Sequence, residues 1–337
     1  MSRLPSEVER KLITRARAKT SVGFGKRPEE RTIEEHITYG FVNLDKPRGP
    51  TSHEVVAWVK RILKVKKAGH GGTLDPKVSG VLPIGLEKST RVLQVLLPAG
   101  KEYVCVMRLH GDVPESRIRE VFTEFTGTIV QRPPVKSAVR RLLRTRKIYY
   151  LELLEQDARD VLFRVGCEAG TYIRKLCHDM GEVLGVGAHM LELRRTKSGS
   201  FTEETLVTLH DLCDAYHFWR EDGDESFLRR VILPVEFAVK HLPRVVVRDS
   251  AVDALCHGAD LAVPGIVKVD SELSEGDPVA MFTLKGELIA LGRAKLDTKA
   301  ILTENSGIAV KTTRVLMPPG TYPRAWKKAQ KEEGVQF

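Results

Sequence analysis

The apolar residues of this chain follow two spacings, one typical of strands and one typical of helices, and segments of the two kinds succeed one another without a regular repeat. The stretches EYVCVMRLH (102–110) and DVLFRVGCEAG (160–170) alternate apolar and polar residues, which predicts strands. Between them, ESRIREVFTEF (115–125) has apolar residues at helical intervals, which predicts a helix. Strands and helices therefore mix without the strict alternation of a doubly wound sheet, and we predict an α+β fold.

Local signals also set the limits of the elements before residue 70. GFVNLDKP (40–47) predicts a short strand that ends before its proline. Thr51 and Glu54 have the spacing of a capping box, so an amphipathic helix is expected to begin there. Gly69 stands where the C-terminus of that helix would favour a glycine. The glycine-rich segment after it is therefore expected to leave the end of a helix.

Three later segments complete the predicted architecture. GTYIRKLCHDMGEVLG (170–185) follows a predicted strand and has helical spacing, which places Tyr172 and Arg174 in the opening turn of a helix. The polar stretch FWREDGDESF (218–227) is expected to form a loop. From Pro243 onwards, short strand patterns separated by glycine turns predict a compact, mostly β module of about 75 residues.

The charge balance is positive and uneven. Lysine and arginine number 54 against 44 aspartate and glutamate, a formal net charge of +10, so a polyanion is the first partner to consider. Residues 136–147 contain six basic side chains and no acidic one. They form either a solvated face or a phosphate-binding strip, and the lack of a compensating acid favours phosphate contact. These residues are Lys136, Arg140, Arg141, Arg144, Arg146 and Lys147.

Membrane, secreted and zinc-binding classes of protein find no support in the sequence. It has no run of about 18 apolar residues, and the N-terminal segment lacks the apolar stretch of a secretory signal, so we expect a cytoplasmic protein. The cysteines are odd in number and widely spaced, which argues against a zinc motif or a disulfide framework. We expect buried thiols at Cys105, Cys167, Cys177, Cys213 and Cys256.

One carboxylate stands in the glycine-rich stretch GHGGTLDPKVSGVLPIG (69–85). Asp75 precedes Pro76, and an Asp-Pro pair commonly starts a turn, so the local sequence alone favours a turn residue. A catalytic acid is the alternative, because Pro76 restricts Asp75 to extended conformations and the glycines permit close approach of another chain. No second acid lies in this segment, which argues against glycoside hydrolysis, where two carboxylates flank the bond.

Six segments between residues 43 and 199 together carry a family resemblance. They are NLDKPRGPTSHEVV, GHGGTLDPKVSGVLPIGLEKSTR, GKEYV, QRPP, GTYIRKL and GVGAHMLELRRTKSG. In order and spacing they resemble the TruB/dyskerin family of pseudouridine synthases. The β module, with HGADLAVPGI (257–266), resembles the PUA RNA-binding domain that ends members of this family.

The resemblance implies a domain order. The catalytic domain would have a mixed, mainly antiparallel sheet, and the smaller PUA domain would be β-rich. A basic N-terminal extension would pack on the PUA domain. The implied boundaries are 1–38 for the extension, 39–240 for the catalytic domain, 241–322 for the PUA domain and 323–337 for a charged tail.

The likeness is greatest to the dyskerin-like branch, which works inside box H/ACA guide ribonucleoproteins. DKPRGPTSHEVVAWVKRIL and HGDVPESRI carry it, and the lack of long lysine-rich tails favours an archaeal source. It implies isomerisation of uridine to pseudouridine in ribosomal RNA without a cofactor or metal. Guide RNA and three small proteins would be the partners, with no membrane involved. A guide-free synthase for the tRNA T-loop uridine, and an RNA scaffold without catalysis, stay open.

The family pattern also assigns roles at the catalytic site. Asp75 would act as nucleophile or as base at the sugar, and Arg174 would keep its carboxylate ionised in a dry pocket. Tyr103 would stack on the uracil and assist removal of the C5 proton. Each has a plainer explanation as a turn, surface or core residue. The side chains expected to line the pocket are Tyr172, Leu193 and His70.

RNA contacts are expected at two further places. Lys46, in the DKP segment, is predicted to contact RNA. In the PUA domain, five residues would hold the ACA end of a guide RNA, although the same residues are also suited to a tight turn. They are Gly258, Ala259, Leu261, Pro264 and Gly265.

Overall fold

The computed structural model describes residues 3–132 and 142–324, which form two compact units. The first unit contains the described residues up to Val8, together with Val42–Gly85 and the described part of Leu93–Val231. The second contains Glu9–Phe41, Leu86–Val92 and the described residues from Ile232 onwards. Each unit is thus assembled from several stretches of chain.

The strands are numbered in chain order. They are β1 (Leu12–Thr14), β2 (Gly40–Lys46), β3 (Ala68–His70), β4 (Ser79–Leu86), β5 (Lys101–Leu109), β6 (Gly127–Gln131), β7 (Arg144–Asp157), β8 (Asp160–Cys167), β9 (Ala188–Ser198), β10 (Phe201–Thr202), β11 (Leu233–Pro234), β12 (Arg244–Val247), β13 (Leu261–Ala262), β14 (Ile266–Asp270), β15 (Pro278–Phe282), β16 (Leu288–Ala294) and β17 (Ile308–Val315).

The α-helices lie between these strands along the chain. They are α1 (Ile33–Thr38), α2 (Ser52–Leu63), α3 (Leu93–Leu96), α4 (Glu115–Phe125), α5 (Ile173–Val183), α6 (Leu209–Asp222), α7 (Ser226–Val231), α8 (Val235–Ala238), α9 (Asp249–Cys256) and α10 (Thr298–Thr303).

The first unit is built on a mixed sheet with strand order β2-β4-β9-β5-β8-β7-β6. β4 and β9 are parallel, whereas the pairs from β9 through β5, β8 and β7 to β6 are antiparallel. Helices α4 and α5 cover this antiparallel part, where their apolar residues join one core with Met107 and Phe163. The predicted α+β fold with a mixed, mainly antiparallel sheet is confirmed.

The second unit contains a seven-stranded sheet in the order β1-β14-β12-β15-β16-β17-β13. β1 comes from the N-terminal segment and pairs antiparallel with β14. Arg15, directly after it, donates from Nε to the carbonyl oxygen of Ile301 at 2.8 Å. Helix α9 adds Val252 and Leu255 to the core beneath the sheet. Residues 9–41 are therefore part of the β-rich unit.

Local signals placed several elements correctly. Thr51 caps α2 by accepting a hydrogen bond from the Glu54 N–H at 3.2 Å, and the Glu54 carboxylate accepts from the Thr51 N–H at 2.7 Å. This reciprocal pair satisfies N–H groups that the first turn of a helix leaves free. The strand predicted to end before Pro47 is β2, and the helix predicted over 115–125 is α4.

Two predicted boundaries were wrong. The helix that was expected to run to Gly69 ends at Leu63, because Lys64 adopts a left-handed conformation with φ of 51°, and Gly69 lies in β3. The stretch 218–227 is mostly helical rather than a loop. Thr208 caps α6, which continues through the polar residues until Gly223 ends it with φ of 74°.

Candidate active site

Asp75 and Arg174 lie 99 residues apart in sequence and meet in the first unit, where Arg174 donates from Nη2 to Oδ2 of Asp75. Asp75 stands in the loop between β3 and β4, and Arg174 lies in the first turn of α5. Their side chains are 55% and 53% exposed. Within the described residues, no dry pocket of the expected kind encloses this carboxylate, and the pair is open to water.

The main chain around Asp75 is held by two side chains from neighbouring elements. The Ser52 hydroxyl, at the start of α2, donates to the Leu74 carbonyl oxygen at 3.0 Å and accepts from the Leu74 N–H at 2.9 Å. Lys46, at the end of β2, donates from Nζ to the carbonyl oxygens of Pro76 and Val78 at 3.3 and 3.0 Å. The backbone is thus fixed on both sides of the exposed carboxylate.

The RNA contact predicted for Lys46 does not fit the structure. Its side chain is fully buried, and Nζ also donates to the carbonyl oxygen of Pro47 at 2.9 Å. Burial lowers the pKa of the Lys46 ammonium, and the charge of Asp75 opposes that shift. An ammonium with three carbonyl acceptors and no exposed surface is not accessible to a phosphate, so Lys46 supports the loop.

Tyr103 and Leu193 lie on one face of the sheet. Tyr103 of β5 is opposite Arg195 of β9, and Cys105 is opposite Leu193. Residues two apart on a strand point to the same face, so these four side chains form one patch. Burial raises the pKa of the Tyr103 phenol, whereas a hydrogen bond and the charge of Arg195 act in the opposite direction. The charge of Asp75 also raises the pKa of Tyr103, which places both groups in one electrostatic environment.

His70 and Tyr172 occupy the edges of this region. His70 is half-buried, accepts a hydrogen bond at Nδ1 from the Gly72 N–H at 3.4 Å and meets the ring of His53 edge-on. Burial lowers the pKa of His70, and His53 lowers it further. Tyr172 is also half-buried, and its main chain is fixed by the amide of Gln131, which accepts from its N–H at 3.0 Å.

Three functional candidates were missed in the sequence. Gln131, in QRPP, orients the turn before α5. Arg195 is 1% exposed, and Lys101 is 4% exposed. Burial lowers the pKa of Lys101 to about 7, and the charge of Arg195 contributes. Arg195 and Lys101 both lie inside the motifs that carry the resemblance, but their polar character alone indicated a surface position.

The basic strip is described only in part, since Lys136, Arg140 and Arg141 lie outside the described residues. Arg144, Arg146 and Lys147 belong to β7. Arg146 is largely covered, lies 3.8 Å from the Glu168 carboxylate and is engaged by that acid. Lys147 is exposed, and Arg144 is half-buried. Glu168 therefore supplies an acid beside Arg146, which the strip itself lacks in sequence. Arg144 and Lys147 have side-chain surface that a phosphate could reach.

Three of the five predicted PUA contacts line a surface cavity of ≈ 330 Å³ in the second unit. Leu261, Pro264 and Gly265 line it, together with Arg248, which was not predicted from the sequence. Leu261 is 2% exposed and belongs to the hydrophobic core, so it forms the floor of the cavity. Gly258 and Ala259 are exposed in the turn beside it, where Gly258 has φ of 87° and the Ala259 carbonyl accepts from the Thr312 hydroxyl.

All five cysteines are free thiols, and four are buried as expected, whereas Cys213 is exposed. The Sγ atoms of Cys105 and Cys177 lie 3.7 Å apart in the core of the first unit. Among the described residues, no group of three or more His, Cys, Asp or Glu side chains is arranged to hold a metal ion. No helix within 3–132 or 142–324 is long and apolar enough to cross a membrane.

Family models match most of the chain. The TruB family pseudouridylate synthase N-terminal domain matches residues 60–173, and the tRNA pseudouridylate synthase B C-terminal domain matches 174–240. A PUA domain matches residues 243–316, and a DKCLD domain matches 2–56.

Archaeal proteins are similar to the chain over almost its full length. The probable tRNA pseudouridine synthase B of Methanopyrus kandleri is 63% identical over 324 residues, covering 96% of each protein. The protein of the same name from Pyrococcus abyssi is 62% identical over 325 residues, covering 96% of this chain and 97% of its own length.

Solved structures show the same agreement. A crystal structure of a Cbf5-Nop10-Gar1 complex matches with a TM-score of 0.92 at 60% identity, over 96% of this chain and 99% of the other. The structure of an H/ACA RNP bound to a substrate RNA containing 2′-deoxyuridine matches with a TM-score of 0.91 at 59% identity, over 96% and 99% of the two chains.

Proposed function

The chain belongs to the TruB family of pseudouridine synthases, and from this premise we propose that it isomerises uridine in RNA selected by a box H/ACA guide, with Asp75 as the nucleophile. The observation that carries the assignment of Asp75 is its ion pair with Arg174, from 99 residues away. Within residues 69–86, Asp75 is the sole acid. The single acid of this segment therefore fits a reaction that needs one carboxylate.

The isomerisation breaks the bond between C1′ and N1, turns the uracil and rejoins it to the sugar through C5. Asp75 attacks the sugar or acts on it as a base while the uracil detaches. Arg174 pairs with this carboxylate from the opening turn of α5 and fixes its position. Tyr103 offers its ring to the uracil and assists removal of the C5 proton, while Tyr172, Leu193 and His70 bound the pocket.

The exposure of the Asp75–Arg174 pair defines what RNA must supply. An ion pair this exposed is worth about 0–1 kcal/mol in water. A uridine leaves its stack to enter the site. Its sugar and base then displace water from the pair, and every charge interaction there strengthens as water leaves. The reacting arrangement is thus completed by the substrate.

Guide dependence is supported by similarity to the solved H/ACA complexes. In this proposal the guide pairs on both sides of a ribosomal RNA uridine, small H/ACA proteins complete the particle, and the protein supplies chemistry and phosphate contacts. The cavity of the second unit, bounded by Arg248, Pro264 and Gly265, binds the ACA end of the guide. Arg144 and Lys147 are available for RNA phosphates.

A second candidate is guide-free modification of the tRNA T-loop uridine. It is favoured by the name of the curated relatives, probable tRNA pseudouridine synthase B. The two candidates share the site and differ in how the uridine is selected. They can therefore be separated by substrate choice with one preparation of protein.

The test measures pseudouridine in a target RNA with and without its guide and the small H/ACA proteins, and in an unmodified tRNA transcript. We expect turnover of the guided target and abolition of turnover by Asp75→Asn, with RNA affinity retained. Turnover by D75N contradicts the assigned nucleophile. Equal turnover of tRNA without any guide contradicts guide dependence and supports the second candidate.

A further inference from the structure

Arg195 is among the largest fully buried side chains of the described residues, at 1% exposure. Burying a charge costs several kcal/mol unless its donors are satisfied. Burial lowers the pKa of Arg195, but an arginine stays protonated in proteins. The interaction that opposes this shift is with the phenol of Tyr103. The guanidinium is therefore a permanent buried cation beside a proposed catalytic ring.

The guanidinium also donates to the main chain on both sides of Asp75. Its Nε donates to the carbonyl oxygen of Val81 at 2.7 Å, and its Nη2 donates to that of Gly72 at 3.0 Å. Gly72 lies three residues before Asp75, and Val81 lies six residues after it. One planar group therefore joins the main chain before and after Asp75, and it extends from the residue that is paired with Tyr103 across β5 and β9.

The position of Arg195 is itself fixed by the sheet. Its main chain is paired with Gly80 across the parallel β4–β9 contact and with Tyr103 across the antiparallel β5–β9 contact. A Cβ atom on Gly80 would lie 2.2 Å from the Arg195 carbonyl oxygen, so the close approach of these strands requires glycine. The guanidinium extends from a rigid strand.

We propose that Arg195 is a positioning residue that fixes the separation between the Asp75 carboxylate and the Tyr103 ring. This inference rests on the proposed roles of those two residues. Arg195 does not touch the substrate. It acts through the Gly72 and Val81 carbonyls on one side and through its pairing with Tyr103 across β5 and β9 on the other, so that a uridine finds the nucleophile and the stacking ring in register.

The consequence is a change in rate without a change in RNA binding. A lysine at position 195 keeps the charge but has a single nitrogen, which cannot span acceptors held by Nε and Nη2 of the arginine. A misplacement of about 1 Å at a reacting group costs roughly 10²-fold in rate. We therefore expect Arg195→Lys to lower kcat by about 10- to 100-fold while KM stays near the wild-type value.

The matched control is Arg194→Lys on the same strand. Arg194 is partly exposed and pairs with Asp45 at 3.0 Å and with Glu203 at 2.6 Å. It tests the loss of an arginine fork from β9 that donates to Asp45 and Glu203 rather than to the main chain around Asp75. We expect R194K to isomerise a guided target RNA, or a tRNA transcript if that is the substrate, with wild-type kcat and KM.

The measurement is single-turnover and steady-state isomerisation by the full chain with its RNA, below the unfolding midpoint of each variant. A wild-type kcat for R195K, or a loss confined to KM, overturns the positioning role. Inactivity of the wild type, or full activity of D75N, overturns the proposed function instead, so the two failures are distinguishable.

A measurement on the wild-type protein covers the case in which R195K does not fold. The Nε–H of Arg195 is buried against the Val81 carbonyl, so its hydrogen exchange, followed by NMR, should be slow and protected like that of the sheet amides. Rapid exchange of this proton in the folded wild-type protein would show that the guanidinium does not hold the loop, and the proposal would fail.

Discussion

Two sets of charged groups meet at the Asp75 loop, one open to water and one buried. Asp75 and Arg174 are 55% and 53% exposed. Lys46, Lys101 and Arg195 are 0%, 4% and 1% exposed. The groups proposed to react are thus solvated and weakly coupled in the protein alone. Lys46 and Arg195, which donate to the main chain around Asp75, are desolvated, as is Lys101, on which the charge of Arg195 acts. We expect substitutions of these three residues to change the stability of the fold.

The two sets also differ in what they bind. Arg174 pairs with a carboxylate, whereas the buried cations donate to neutral carbonyl oxygens. Lys101, for instance, donates from Nζ to the carbonyls of Leu96 and Ala99 at 2.8 and 2.7 Å. A carbonyl does not change charge during a reaction. The acceptors that Lys46 and Arg195 hold on either side of Asp75 are therefore neutral groups.

The largest effect on stability is expected from Lys46→Met. The substitution keeps an unbranched chain in the buried space but leaves the carbonyls of Pro47, Pro76 and Val78 without their donor. A buried acceptor left unpaired costs about 1–3 kcal/mol, partly offset here by removal of a buried charge. We expect the free energy of unfolding in denaturant titration to fall by at least about 2 kcal/mol.

Lys77→Met is the control for this loss. Lys77 lies in the same loop, two residues after Asp75, and is exposed. Surface substitutions usually change stability by less than about 0.5 kcal/mol. If K46M and K77M unfold at the same denaturant concentration, the buried ammonium does not stabilise the loop, and the contrast between the two sets of charges is lost.

An intermediate, pH-dependent effect is expected from Lys101. Burial lowers its pKa from the ordinary value near 10.5 to about 7 in the folded state. Between these values the unfolded chain holds a proton that the folded chain lacks, so stability rises with pH, by at most about 1.4 kcal/mol per pH unit. Below about pH 7 both states are protonated and this slope vanishes.

The check is a pair of stability-versus-pH curves. The free energy of unfolding of wild type, minus that of Lys101→Met, should increase from about pH 7 upwards. The same subtraction with the exposed Lys77→Met variant should be flat. Parallel curves for wild type and K101M would show that Lys101 titrates at its ordinary value and is not desolvated in the folded state.

Some limits of the helices could be predicted from the sequence, and others could not. The limits of α4 and the capping box of α2 depend on neighbouring residues, and both followed from the sequence. The helix end at Lys64 did not, because a non-glycine residue took the left-handed conformation that was expected at a glycine. In α6, the cap at Thr208 outweighed the polar composition from which a loop had been predicted.

At the site, the residues of the family motifs were easier to find than the buried cations that support them. Catalytic roles for Asp75, Arg174 and Tyr103 were predicted from the resemblance, and the structure brings Arg174 to Asp75. Arg195 was missed because its burial depends on pairing between β4, β9 and β5, which no local pattern encodes. Lys46 was identified but assigned the wrong environment for the same reason. Strand register, which sequence reasoning did not reach, decides whether a basic residue faces water or carbonyls.

The smallest effect on stability, with the largest effect on the reaction, is expected from Arg174→Met. Exposed pairs contribute about 0–1 kcal/mol, so the free energy of unfolding should change by less than about 1 kcal/mol. Arg164→Met is the matched control, because Arg164 pairs with Glu152 at 3.2 Å with side chains 41% and 43% exposed. Both variants should unfold like wild type in denaturant titration, but only R174M should lose isomerisation. A large loss of stability in R174M alone would mean that this pair helps hold the fold, which would remove the separation between reacting and supporting charges.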